Sequence, residues 1–453
     1  MKSITLLASL AAASVICVAA GCSSKSDDNN GAAGNTSGGS TGAAGENTGE
    51  AGDGTGATTG EGGDKGTAGT GGTGGGVTAC GTGVLFQGNP TYERASDYDT
   101  DAKPKPAGQG LLDDPPIRDE AMAVIGSTVY WETEQEIWSA DTSLKTPVLK
   151  RIAGKEVDSG GFINAGVACA DTTFLVVRDM VATAEGKLAL VDAVAGAVVE
   201  ITDPGTANCK SVYVAGTHEK TDNPGPDFPL NSGDMDGPGS SALFGGDHEG
   251  KGMIEHIAAD PSGNYYVFDN GTGKFRMIAT DEDRTVSTIG QGSADDAVFG
   301  MAVVNGKLYA VGTDSENDFM LEIDPKAYNA AKPKDNVKEI FRANDHFPEV
   351  QDSQAVPASL VADGDALIVS GLKQYIWRIA TDGTVLATLA GTGARLDFDA
   401  DFDPTKPHPA SDWELVTDTG GGHGGPWLAL GGGKLYWGGG VGINKYTVQF
   451  SCP

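Results

Sequence analysis

One unit of sequence recurs from residue 118 to the C-terminus, and nothing else in the chain constrains its fold as strongly. The clearest copy runs Ile257 to Asp269, then Lys274 to Ile278, then Thr285 to Gly290. Each segment is short and rich in β-branched and aromatic residues, and each is bounded by Gly, Asp, Asn or Pro. That is the pattern of strands joined by tight turns. Long helical periodicity is absent, so this part of the chain reads as all-β.

Further copies follow the same order. Met301 to Val311 continues into Met320–Ile323 and Val337–Ile340. Ser359 to Val369 continues into Tyr375–Ile379 and Thr384–Gly391. Leu428 to Trp437 continues into Asn444–Val448. At the front, Ala121 to Trp131 continues into Glu136–Trp138 and Pro147–Gly154. Tyr266 and Tyr309 hold equivalent places 43 residues apart, a spacing that suits one four-stranded blade of a β-propeller. Between Phe162 and Gly216 the third and fourth strands are clear at Ala197–Ile201 and Ser211–Gly216. The first two fall in Val167–Val177 or in Val181–Asp192, and a long hairpin turning at Glu185-Gly186 reconciles both. The expected fold is a six-bladed β-propeller, with seven blades if both hairpins begin a blade. A single blade cannot bury its own faces; stacking buries them, and ring closure removes exposed edges. The aromatics of the repeat are expected in the core between blades.

The copy at Ile257–Gly290, with Asp236 to Phe244 ahead of it, resembles an NHL repeat. That family's pattern is an Asp-Gly approach ending in Ala-x-Phe, a hairpin with Gly-Asn at its turn and Tyr-Val on its second strand, and an Arg-x-Ile third strand. The resemblance is strong over about this one blade, and it implies the same propeller fold.

The N-terminus has the anatomy of a secretory signal over residues 1–21. Lys2 supplies a positive start, and Ile4 to Val18 form an apolar run too short to span a bilayer comfortably. Ala19-Ala20-Gly21-Cys22 resembles a lipobox, with Ala19 where Leu is usual. That resemblance implies cleavage before Cys22, a lipid (palmitate-bearing) anchor on Cys22, and, with Ser23 next, sorting to the outer membrane of a bacterial-type cell envelope. Residues 22–79 form the expected tether. From Gly31 to Ala79 the one large aliphatic residue is Val77, and no aromatic occurs. With nothing to bury, ordering entropy is uncompensated, and such a linker has a reach on the order of 40 Å. Residues 80–453 form the folded domain.

The chain carries 31 Lys+Arg against 62 Asp+Glu, a net charge of -31. That surface repels phosphate backbones and anionic headgroups, so nucleic acid is excluded as a partner and the membrane is met through the lipid alone. A monomer is expected.

Cys17 leaves with the signal peptide, and Cys80, Cys169, Cys209 and Cys452 remain beside Cys22. An even number in an exported chain points to disulfides. A closing propeller brings its ends together, which pairs Cys80 with Cys452 and leaves Cys169 for Cys209.

Six histidines occur: His218, His248, His256, His346, His408 and His423. Resemblance to the peptide-amidating lyase, a six-bladed propeller with zinc on three central histidines, directs attention to His256 and His423. Each precedes an innermost strand. The corresponding places in other blades hold Glu120, Phe299 and Val356, so a third ligand is missing and zinc is not expected. Asp397, Asp399, Asp401 and Asp403 alternate like a calcium loop. Phe402 stands where an EF-hand needs Gly, and His408 where it needs Glu, so the acidic run reads as solvated or as a soft Ca²⁺ site of another kind. With no catalytic constellation, no cofactor is expected. The sequence reads as a non-enzymatic binding module for a protein, peptide or glycan. Its binding face carries Glu255, His256 and His423. The alternative is a metal-dependent lyase or hydrolase in the channel mouth.

Overall fold

The computed structural model describes residues 79–88, 121–133, 135–144, 147–155, 166–216, 232–246, 254–293, 296–314, 318–342, 357–371, 375–392, 406–413, 415, 427–441 and 444–452. Residues 1–78, on which the expected signal peptide, Cys22 and nearly all of the expected tether fall, lie outside them.

Six antiparallel four-stranded blades form a ring. Blade I comprises Met122–Ile125, Thr128–Glu132, Glu136–Asp141 and Lys150–Gly154. Blade II comprises Val177–Ala182, Leu188–Asp192, Ala197–Thr202 and Lys210–Ala215. Blade III comprises Ile254–Ala259, Tyr265–Asp269, Lys274–Ile278 and Val286–Gln291. Blade IV comprises Ala297–Val304, Lys307–Thr313, Asp318–Ile323 and Val337–Arg342. Blade V comprises Pro357–Asp363, Ala366–Gly371, Ile376–Ala380 and Val385–Ala390. In blade VI the chain's end supplies Trp427–Gly431, Lys434–Val441 and Asn444–Ser451, and its N-terminal part supplies the outer strand Thr82–Gly88. The short His408–Pro409 segment pairs outside that strand. Each blade's innermost strand packs on those of its two neighbours, and blade VI packs back on blade I.

The hydrophobic core is divided among the six blade interfaces, with one buried cluster at each. Trp131, Trp377, Trp413 and Trp437 are fully buried, as inter-blade packing requires. Burial of such side chains is worth about 25 cal/mol per Å² of apolar surface, and no blade can obtain it alone.

Blade II settles the choice between two hairpins. Its first pair is Val177–Ala182 with Leu188–Asp192, turning through Glu185-Gly186. The apolar stretch before Val177 is not a strand of that hairpin. It carries instead the single 3₁₀ turn Cys169–Asp171, with Ala168 bridged to Lys210 on the blade's outer strand. That bridge brings Cys169 to Cys209, which are disulfide-bonded with Cα atoms 5.4 Å apart. Cys80 and Cys452 are likewise bonded, across 372 residues of sequence.

Candidate functional site

The inward edges of the six innermost strands surround a central channel with a cavity of about 240 Å³. Four of those strands carry a register shift near their start, between Val177 and Asp179, Ile254 and Ile257, Val298 and Gly300, and Pro357 and Ser359. A bulge bends its strand and re-aims the side chain beside it, and bulges are common at the rims of closed sheets. Asp179, His256, Phe299, Ser359 and Trp427 come from the starts of five of the innermost strands, and all five line the cavity.

Asp179 and His256 come from adjacent blades and meet at the channel mouth. His256 Nδ1 lies 3.5 Å from Asp179 Oδ2, and the side chains are 17% and 20% exposed. This is an ion pair only when the imidazole is protonated, since the separation is too long for a good hydrogen bond. The carboxylate is fixed by main-chain donors instead. Its Oδ2 accepts the N–H of Ile257 at 2.9 Å, and its Oδ1 accepts that of Met180 at 2.7 Å. Ile257 belongs to the next blade, so Asp179 caps an amide on the inner edge of blade III, an edge with no further strand to pair with. Ser359 repeats the device in another pair of neighbours: its Oγ accepts the N–H of Leu428 at 3.2 Å, from blade V to blade VI. Phe299 and Trp427 are half-buried and add aromatic surface from blades IV and VI. Asp179 and His256 are the two titratable side chains in the described lining of the cavity. The mouth therefore combines an oriented carboxylate, an imidazole, a hydroxyl and two aromatic faces.

Of the residues singled out from the sequence, Glu255 and His256 lie within the innermost strand of blade III rather than ahead of it, in the stretch that the register shift takes out of the ladder. His256 lines the cavity and Glu255 does not. His423 and the run Asp397, Asp399, Asp401 and Asp403 lie outside the described residues. Asp179 was missed by sequence reading, because the two possible hairpins of blade II give it two different places. Once the hairpin is set at Val177–Asp192, alignment with blade III puts Asp179 opposite His256. Among the described residues no group of three or more His, Cys, Asp or Glu is placed to hold a metal ion. Asp179 and His256 offer two donors, fewer than the three protein ligands of a catalytic zinc site.

The chain is similar in fold to solved structures of a streptogramin B lyase (13% identity over 74% of this chain and 95% of that one, TM-score 0.41). It is similar to virginiamycin B lyase from Staphylococcus aureus (10% identity, 75% and 96% covered, TM-score 0.40). It is also similar to a gluconolactonase from Xanthomonas campestris (10% identity, 72% and 82% covered, TM-score 0.39). No protein-family model and no curated protein matches the chain.

Proposed function

We propose that this is an exported, lipid-anchored protein whose NHL-like propeller is a binding module, not an enzyme, and that it takes its ligand at the channel mouth. The observation that carries the reading is the meeting of Asp179 and His256 on the cavity that Phe299 and Trp427 also line. An oriented carboxylate and imidazole with aromatic surface suit a ligand that has a hydrogen-bonding end and an apolar face, such as a peptide terminus or a sugar ring. Anchoring is supported by the Ala19-Ala20-Gly21-Cys22 sequence and by the apolar-poor stretch after it, which would hold the domain off an outer membrane.

The test has two arms. Protein lacking its leader is screened on peptide and glycan arrays beside Asp179→Asn and Trp427→Ala variants. Binding that both variants lose while keeping the wild-type circular dichroism supports the mouth, and binding that neither loses removes it. Metal analysis decides the enzyme alternative: stoichiometric zinc, lost together with a lyase or hydrolase activity in a His256→Ala, His423→Ala double variant, would replace the binding reading. Anchoring is checked separately by Cys22→Ser, which should abolish palmitate labelling and release the protein from membranes.

A further inference from the structure

The point where the N-terminal segment joins the ring is fastened more heavily than strand pairing requires. Cys80 N–H donates to Leu389 O of blade V at 3.1 Å, and Gly81 N–H to Ser451 O of blade VI at 2.8 Å. Ala410 N–H donates to Gly81 O at 3.0 Å. Cys80 is also disulfide-bonded to Cys452, the residue after blade VI's third strand. Two consecutive residues are thus tied to two blades and to the 406–413 segment.

The direction of the strands gives this fastening a mechanical meaning. Thr82–Gly88 runs antiparallel to Asn444–Ser451, with Gly83 opposite Phe450 and Gly88 opposite Tyr446. Cys80 and Cys452 therefore sit at the same end of the ladder. Tension on the residues before Cys80 would load that ladder at its end and peel it one bond at a time, beginning with Gly81 to Ser451 and passing on to Gly83–Phe450. Peeling is the weak way to break a ladder, because each hydrogen bond is loaded in turn. Its consequence would be large. Leu85 and Phe86 are fully buried in two different clusters, at the interfaces of blade VI with blade V and with blade I. Losing this strand opens the ring on both sides of blade VI.

The disulfide removes that path. With Cys80 joined to Cys452, the ends of the two strands move together, and the ladder between them is not loaded from its end. We propose that Cys80–Cys452 is a load-bearing node that passes tension from the N-terminal segment into blades V and VI and keeps the closing strand from being peeled. A physiological source for the tension rests on the anchoring proposed above; the mechanical property does not.

The experiment holds the leaderless protein by a handle at its N-terminus and a second handle ligated through a tag in the exposed Asp260–Gly263 turn of blade III, and stretches it in optical tweezers. The oxidised protein should show no extension step before the main rupture. After in-situ reduction, or in a Cys80→Ser, Cys452→Ser variant that retains its circular dichroism, an early step should appear. Release of the seven-residue strand alone adds on the order of 2 nm. A Cys169→Ser, Cys209→Ser variant should behave as wild type, which separates a load path from general stabilisation. Identical traces with and without the Cys80–Cys452 bond, or an early step in the Cys169→Ser, Cys209→Ser variant as well, would overturn the proposal. Membrane release by Cys22→Ser is read by fractionation, so failure of the anchor and failure of the node are told apart.

Discussion

Arg276 Nη2 and Asp269 Oδ2 form an ion pair at 2.9 Å with both side chains fully buried, and this pair fastens the segment ahead of blade III to the blade. Arg276 also reaches Asp234 and Asp236, at 2.5 and 3.2 Å, and donates to Leu243 O. Asp269 accepts the N–H of Gly245 at 3.0 Å. The Arg of the third strand and the Asp ending the second are thus one device, which holds Asp234 to Gly245 in place. Arg276→Met leaves the Asp269 carboxyl buried without its counter-charge and should destabilise the protein by about 3–5 kcal/mol. Adding Asp269→Asn should recover part of that loss. Urea unfolding of the two single variants and the double variant measures the coupling, and strict additivity would contradict it.

The repeat was legible because each blade places its apolar residues in short strands between turn residues, and those signals are local. Cys80–Cys452 was legible because ring closure requires the ends to meet. Other features depend on pairings that leave no local trace. Thr82–Gly88 is a lone strand whose partner, Asn444–Ser451, lies at the other end of the chain. Its place in blade VI could not be read from periodicity. The register shifts hide the starts of the innermost strands, since an extra residue breaks the alternation that marks a strand. For that reason Glu255 and His256 read as lying ahead of their strand, whereas Asp179 was not placed because blade II offered two hairpins.

Close approach of innermost strands makes a second prediction. A Cβ on Gly300 of blade IV would lie 2.6 Å from the backbone N of Leu360 and 2.9 Å from the Cα of Ser359, both in blade V. Backbone cannot swing aside as a side chain can, so Gly300→Ala should cost about 1–3 kcal/mol through overpacking. Gly306→Ala, where a Cβ meets nothing within 4 Å, has no such clash. Its residue adopts a φ of +75°, so its cost is that of a left-handed turn alone, about 1 kcal/mol. Thermal unfolding should rank Gly300→Ala below Gly306→Ala.

Buried carboxyls predict the pH dependence of stability. Burial pushes Asp192 up from 3.8 to about 6, against the hydrogen bonds it accepts from Leu175, Val176 and Ala195. Burial pushes Asp318 up from 3.8 to about 6 as well, against a hydrogen bond from Thr313. In the unfolded chain both groups titrate at ordinary values. Between about pH 4 and pH 6 the folded protein therefore holds protons that the unfolded chain has released, and its stability falls as pH rises through that window. Each group contributes about 3 kcal/mol at most, since titrating about two pH units higher in the folded protein is worth about 1.36 kcal/mol per pH unit. Denaturant midpoints should decline from about pH 4 to about pH 6.5, and Asp318→Asn should flatten part of the slope. A midpoint that rises across the window would contradict the assignment.

The closing strand yields the last prediction. Phe86 packs edge-on against Tyr436 of its own blade, with ring centroids 5.4 Å apart, and against Trp131 of blade I at 6.3 Å. Leu85 points the other way, into the cluster that holds Ile368, Ile376 and Leu389 of blade V. Leu85 and Phe86 sit where the pairing with Asn444–Ser451 shifts register, and each lies in a different inter-blade cluster, so this one strand wedges both interfaces of blade VI. Phe86→Ala should cost about 3–5 kcal/mol and Leu85→Ala about 2–5 kcal/mol. The two losses should be felt in different places. Hydrogen exchange in Phe86→Ala should quicken in Met122–Ile125 and Thr128–Glu132 of blade I, and in Leu85→Ala in Ile376–Ala380 and Val385–Ala390 of blade V. With the disulfide intact, the chain ends stay joined in both variants, so loosening should remain at the affected interface and not spread around the ring. The same exchange pattern in both variants would show that the strand does not act as a two-sided wedge.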